Sequence, residues 1–328
     1  MKPALLLTRS DVAQLLDLDS CISAVEAAFR LHGEGGAHTG VLSMHVPGGA
    51  FHIKAGALHL GRHYFAAKTN ANFPNNPTAH SLPTVQGVIV LADADVGTPL
   101  AILDSMEITT LRTGAATAVA AKYLAREDAS TVAIIGCGIQ GWVQLRSVCR
   151  VRRLTAARVY DRDRRRAEEL ARALGPELGL TIEVAADPAA ATRGSDIVVT
   201  CTSSREPIIG RGDVAPGTFV AAVGADNPEK QEIAPALLAA SRVVVDVLDQ
   251  AATLGDLHHA IAAGAMRRED VAAELGQIVA GRASVPPNGR DVIVFDSTGM
   301  ALQDVAAAAA VYERAQASGR GTPVHLAG

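Results

Sequence analysis

Aromatic side chains are scarce in this sequence. Phe, Trp and Tyr together make up 3% of it, so the core must be packed from small and aliphatic residues. Cysteine is scarce too. The four are Cys21, Cys137, Cys149 and Cys201; none forms a CxxC pair, and no His/Cys cluster has zinc spacing. No metal site is expected, and scattered single thiols suit a reducing cytosol. The apolar run Ala4–Leu7 is too short for a signal-peptide core. No stretch is long enough and free enough of charge to span a bilayer. A large excess of charge of one sign is missing as well: the formal net charge is −4, which gives no reason to expect nucleic acid or an anionic membrane as partner. The expectation is a cytoplasmic protein. Its 328 residues suit two ordinary domains or one large one, with core enough to need no covalent staples.

Along the chain, Ser10 to His32 reads as one helix. Val12, Leu15, Leu16, Ile22, Val25 and Phe29 recur at helical spacing, with Ser10 or Asp11 as cap. Gly33 to Gly40 is a glycine-rich break. Val41 to Leu58 reads as short strands, Tyr64 to Ala71 and Thr84 to Asp93 as further strands, and Pro99 to Asp104 as a short one. Glu107 to Ala125 is a helix rich in Ala, Thr and Leu. The grammar then changes after Arg126–Ser130. Thr131–Ile135, Arg158–Tyr160, Ile182–Val184, Ile197–Thr200, Phe219–Val223, Val243–Asp246 and Val292–Phe295 alternate with helices. Short apolar runs in that alternation predict a parallel sheet of βαβ units. A last helix, Ala301 to Ser318, is almost all apolar or Ala on one side. The fold class is therefore α/β: a Rossmann domain over 127–299, and an α+β domain made of 1–126 with 300–328.

The strand Thr131–Ile135 runs directly into Gly136–Cys137–Gly138–Ile139–Gln140–Gly141, a full G-x-G-x-x-G, and a helical pattern follows at Trp142, Leu145, Val148 and Cys149. Gly136 would make the tight turn, Gly138 admit a pyrophosphate to the backbone, and Gly141 let helix and strand pack closely. The phosphates would meet the positive end of the helix. An acid, Asp161, closes the next strand roughly 25 residues on, near the spacing of a ribose-binding carboxylate. A carboxylate there accepts from ribose hydroxyls and repels a 2′-phosphate, so NAD is favoured. Arg162, Arg164 and Arg165 follow at once, which keeps NADP open. The alternative is a tight structural turn with no ligand.

A Rossmann domain supplies a cofactor, not a reaction. The N-terminal half carries a cationic set, His52, Lys54, Lys68 and Arg112. Lys68 is either a solvated strand lysine or a functional one. Arg112 sits in a small, apolar helix and needs an anionic partner, either a protein carboxylate or a ligand's carboxylate or phosphate held bidentately. Gly224–Ala225–Asp226–Asn227 follows the strand Phe219–Val223. Ligands of open parallel sheets bind beyond the carboxyl ends of the strands, which places Asp226 to approach a nicotinamide or a substrate; otherwise it caps a helix starting at Pro228. Lys230 is close behind.

Five segments carry a resemblance over nearly the whole chain: Leu82–Pro83–Thr84–Val85–Gln86–Gly87, Leu111–Arg112–Thr113–Gly114–Ala115–Ala116, Ile135–Gly136–Cys137–Gly138–Ile139–Gln140, Val223–Gly224–Ala225–Asp226 and Phe295–Asp296–Ser297–Thr298–Gly299. The sequence resembles the ornithine cyclodeaminase/mu-crystallin family, and within it the branch of the archaeal-type alanine dehydrogenases and imine reductases. The resemblance implies a homodimer whose N-terminal domain, completed by the C-terminal helix, binds substrate and mediates dimerisation. It implies that Lys68 contacts the substrate, that Asp226 donates or accepts a proton, and that Arg112 and Thr84 line the nicotinamide end. Ile139, Gln140, Asp161, Thr202, Lys230 and Ser297 match further cofactor positions, and Thr113, Val223 and Gly224 belong to the same segments. One departure concerns the arginine that the family often places on an early strand to clamp the substrate carboxylate. His52 and Lys54 stand nearest here, and neither reproduces a guanidinium fork.

Three activities are compatible with these residues. One is an NAD(P)-dependent oxidoreductase of a small 2-amino, 2-imino or 2-oxo acid. Another is a cyclodeaminase, an ammonia-eliminating lyase that recycles NAD. The third is a non-catalytic NAD(P)H-binding protein like the crystallins. The first is favoured, because the branch it most resembles reduces oxo or imino acids.

Overall fold

The computed structural model describes residues 3–326. The chain forms two compact units, Met1–Arg112 with Met300–Gly328, and Thr113–Gly299. The division falls inside a helix, whereas the sequence pattern changes only where that helix ends.

The first unit opens with β1 (Ala4–Leu7), α1 (Arg9–Leu15) and α2 (Leu18–Gly33). The single helix expected over Ser10–His32 is thus two. Leu16 is extended at φ −124°, and Asp17 starts a new helix by accepting the Ser20 N–H at 2.8 Å. The cap of α1 is Thr8, in a reciprocal box with Asp11, rather than Ser10 or Asp11. Helical spacing survived this break because Leu15, Leu16, Ile22 and Val25 are all buried. The short strands expected over Val41–Leu58 are one long hairpin, β2 (His38–Val46) and β3 (Gly49–His59). Gly48 makes its turn with φ +84°. Then come β4 (His63–Asn72), the short α3 (Asn76–Ala79), β5 (Val85–Asp93), β6 (Pro99–Asp104) and α4 (Ser105–Leu124).

The second unit continues with β7 (Thr131–Ile135), α5 (Ile139–Val151), β8 (Ala156–Tyr160), α6 (Arg164–Leu178), β9 (Thr181–Val184), α7 (Pro188–Thr192) and β10 (Ile197–Thr200). After it run β11 (Arg205–Ile209), β12 (Phe219–Ala222), β13 (Gln231–Ile233), α8 (Pro235–Ala239) and β14 (Arg242–Val245). The unit ends with α9 (Leu248–Leu254), α10 (Asp256–Ala262), β15 (Ala273–Glu274), α11 (Leu275–Val279) and β16 (Ile293–Asp296). The chain then returns to the first unit as α12 (Ala301–Ser318) and β17 (Thr322–Val324).

The first unit holds a seven-stranded sheet in the order β17-β1-β6-β5-β4-β3-β2, antiparallel except for β1 beside β6. One face is covered by α12, which packs on α2 and across β3 and β4. Gly56 permits this approach, since a Cβ there would lie 3.0 Å from Leu302. The second unit holds an all-parallel sheet in the order β15-β14-β16-β12-β10-β7-β8-β9. Its inner strands β7, β10 and β12 are almost wholly buried runs of Val, Ile, Ala, Phe and Thr, as a sheet covered on both faces requires. The α/β class, a Rossmann sheet with a separate α+β unit, is thus realised. Strand order reverses at β7: the chain leaves it for β8 and β9 on one side and returns to β10 on the other. In open parallel sheets this switch point is where a crevice opens for ligands. No helix among the described residues is long and apolar enough to cross a membrane.

Candidate functional site

The glycine-rich loop leaves β7 at the switch point. Gly136 adopts φ +101°, and a Cβ on it would sit 2.8 Å from the carbonyl oxygen of Cys201, which follows β10. Only glycine serves both demands. A side chain at Gly141 would collide with the Gly136 carbonyl. At Gly138, by contrast, an added Cβ would meet nothing within 4 Å. Gly138 is also the N-cap of α5 and offers no side-chain acceptor, which leaves first-turn N–H groups for a ligand or solvent. Open space above bare amides at the positive end of a 13-residue helix fits a dinucleotide pyrophosphate. Ile139, 73% exposed, stands at the rim, and Gln140 accepts from Gln144 Nε2 at 3.2 Å.

Asp161, at the end of β8, accepts the Cys137 N–H at 2.8 Å through Oδ2 and the Asp163 N–H at 2.9 Å through Oδ1. It therefore braces the loop and keeps lone pairs for further donors. Arg164 and Arg165 are occupied with Glu168 at 2.8 Å and Asp163 at 3.2 Å. Arg162 is exposed.

The other residues singled out in this unit lie at the same, carboxyl end of the parallel strands: Thr202 after β10, Val223 and Gly224 after β12, and Ser297 after β16. Thr202 donates both its N–H and its hydroxyl to Glu232, at 2.6 and 2.7 Å, so any cofactor contact it makes is as an acceptor. Asp226 does not cap a helix, for Pro228 begins none. Its carboxylate, 53% exposed, takes Lys230 Nζ at 2.8 Å.

In the first unit Lys68 is buried, not a solvated strand lysine. Its Nζ lies 2.7 Å from Asp304 Oδ2 and 3.4 Å from Thr109 Oγ1. Arg112, also buried, places Nε 3.3 Å from Asp304 Oδ1 and donates from Nη1 to Gln303 Oε1 at 2.8 Å. Arg112 thus has a protein carboxylate as partner. Lys54 stands opposite Lys68 in the β3–β4 register, and His52 lies two residues along, with its Nδ1 3.0 Å from Ser43 Oγ. Burial pulls the Lys68 ammonium down to about 7, with Asp304 opposing and Arg112 and Lys54 assisting. Burial pushes Asp304 up, yet Lys68 and Arg112 outweigh it and hold the carboxyl below its usual range. Beside them Gln303 Nε2 is a buried donor with no hydrogen-bond partner among the described residues, a group that calls for an acceptor from ligand or water. Thr84 lies just before β5, its carbonyl accepting the Phe73 N–H at 2.8 Å, and Thr113 lies on α4.

Asp304, Gln303 and Glu232 were not singled out in the sequence. A lone acid in the Ala-rich run of α12 was the one available signal for Asp304; for Glu232 there was none.

The ornithine cyclodeaminase/mu-crystallin family profile matches residues 2–319. The chain belongs to that family. Among its members, the alanine dehydrogenase of Archaeoglobus fulgidus is 36% identical over 320 residues, 98% of each chain. An archaeal alanine dehydrogenase dimer with bound NAD superposes with a TM-score of 0.94 at 35% identity, covering 98% of this chain and 99% of the other. The Thermococcus litoralis Δ1-pyrroline-2-carboxylate reductase, in complex with NADH and L-proline, gives 0.93 at 34% identity over 98% and 100%.

Proposed function

We propose that this member of the family is an NAD(P)-dependent oxidoreductase of a small 2-oxo or 2-imino acid, an alanine dehydrogenase or ketimine reductase in kind. One observation carries the reading. Two buried cations, Lys68 and Arg112, share the one carboxylate of Asp304, and this excess suits the carboxylate of an acid substrate. Arg112, with Lys54 or His52, neutralises that carboxylate. Lys68 stabilises negative charge on the substrate's oxo or imino group and manages its proton, and Asp226 holds a proton for transfer. Gly136, Gly138, Ile139, Gln140 and Gly141 hold the dinucleotide by its phosphates. Asp161 holds the ribose and favours NAD, with Arg162 admitting NADP. Thr202, Val223, Gly224, Lys230, Ser297, Thr84 and Thr113 complete its contacts. The nicotinamide, when bound, supplies or accepts the hydride.

A homodimer is part of the proposal. The sheet face opposite α12 exposes Leu42, Met44, Phe65, Val88 and Val90, at 54%, 53%, 37%, 46% and 37%, an apolar face of the kind that partners cover. The four cysteines are all free, which supports a cytoplasmic site of action.

The test is NADH and NADPH oxidation across 2-oxo acids with ammonium and across cyclic imines, with ornithine and lysine assayed for ammonia release. Steady NADH consumption is expected, and Lys68→Ala should lose about 100-fold or more in kcat/KM. Full turnover in Lys68→Ala would refute the assignment. Ammonia release from ornithine with only catalytic NAD would move the chain to the cyclodeaminases.

A further inference from the structure

Glu232 lies on β13 and is completely buried, outside both of the loops that it touches. Its Oε1 accepts the N–H and the hydroxyl of Thr202, at 2.6 and 2.7 Å. Its Oε2 accepts the Thr200 hydroxyl at 2.7 Å and the Gly224 N–H at 2.7 Å. Thr200 and Thr202 belong to the carboxyl end of β10, and Gly224 to that of β12. A bare buried carboxylate would be prohibitive; burial pushes the Glu232 carboxyl above its usual range, and four converging donors offset part of that cost. The fit has no slack, since a Cβ on Gly224 would lie 2.5 Å from Glu232 Oε1. Below, Asp256 Oδ1 accepts the backbone N–H groups of Glu232 and Ile233 at 2.8 and 2.9 Å and anchors the strand that carries the carboxylate.

We infer that Glu232 is a positioning residue: its carboxylate ties the loop after β10 to the loop after β12, and so sets Thr202 and the Gly224–Asp226 turn for the dinucleotide. Two features make the carboxylate necessary. Each oxygen faces a backbone N–H that can only donate, Thr202 at Oε1 and Gly224 at Oε2, so both oxygens must accept; a glutamine offers one accepting atom and turns an N–H against one of these two. The length also counts, for aspartate is one methylene too short to reach both loops. The inference rests on the reading of these loops as cofactor-facing.

Glu232→Gln, Glu232→Asp and Thr200→Val test it, with NADH binding followed by fluorescence titration, steady-state kinetics, and thermal unfolding of each protein. In Glu232→Gln the NADH Kd and the cofactor KM should rise about tenfold or more, as loss of a charge-assisted hydrogen bond implies. The KM for the acid, which is assigned to the first unit, should change less than about twofold. Glu232→Asp should weaken NADH similarly, and Thr200→Val, which removes one donor of four, by a smaller factor. Unchanged NADH affinity in Glu232→Gln, with only a lowered Tm, overturns the inference. If Glu232→Gln does not fold, unchanged affinity in both other variants overturns it equally. A wild-type chain that binds no NADH refutes the dinucleotide reading itself, and wild-type binding with indifferent variants refutes this inference alone.

Discussion

Lys68 is a cation that burial has brought to the edge of neutrality, and this gives it a pH signature. Its folded value of about 7 lies below the ordinary 10.5 of lysine. Between those two values the unfolded chain holds the proton more tightly, so on this group's account stability rises with pH across that window, and the ammonium's cost is present in full below about 7. The ammonium is the form that attracts an anion. The KM for a 2-oxo acid should therefore rise as pH passes upward through about 7. Asp304 raises the Lys68 value, so Asp304→Asn should move this limb to lower pH, and Lys68→Arg should remove it. A limb unmoved in Asp304→Asn would contradict the pairing. The same substitution leaves two buried cations short of a carboxylate and should cost about 3–5 kcal/mol, read by urea unfolding. At Asp161, alanine should weaken NADH far more than NADPH, and equal losses would deny it the ribose.

At the scale of elements, the β7–loop–α5 unit separates fold from ligand binding. Gly138→Ser places its Cβ in open space and supplies a good helix cap, so the Tm should hold while the NADH Kd rises about tenfold or more. Gly141→Ala drives a methyl into the Gly136 carbonyl and should destabilise by about 1–3 kcal/mol. If Gly138→Ser binds NADH normally, the open space is not the pyrophosphate site. This unit was legible in the sequence because strand, turn and helix are contiguous and each glycine answers a local demand. The α1–α2 break was not, since Asp17 is one polar residue among several and its cap competes with continued helix through a difference of about 1 kcal/mol. Strands β1, β11, β13, β15 and β17 were also missed. They are two to five residues long, and pairing rather than local pattern makes them strands.

For the whole molecule the consequential feature is the uncovered sheet face of the first unit. Cross-strand register aligns Leu42 with Ile53, Ile53 with Thr69, and Thr69 with Val88, and Phe65 lies on the Thr69 face of β4, so apolar groups from four strands share one face. The protein should behave as a dimer in light scattering at micromolar concentration, and Val88→Asp with Val90→Asp should yield monomers. A wild-type monomer would remove the dimer from the proposal. Cofactor binding in the monomeric variant should persist, because the glycine-rich loop and Asp161 belong to the second unit.

What the sequence by itself determined is what neighbouring residues can specify. The apolar strands, the G-x-G-x-x-G turn with its following helix, and the shared segments led to the fold class, the dinucleotide and the family. Lys68, Arg112 and Asp226 were also named there, but as isolated side chains with open alternatives. Only the tertiary structure decided that Lys68 is buried, that Asp304 on α12 is its partner and that of Arg112, and that Glu232 joins two loops it does not belong to. The reason is physical. A buried charge is defined by the groups that replace its water, and strand register and helix packing bring those groups from distant parts of the chain, where no local periodicity records them.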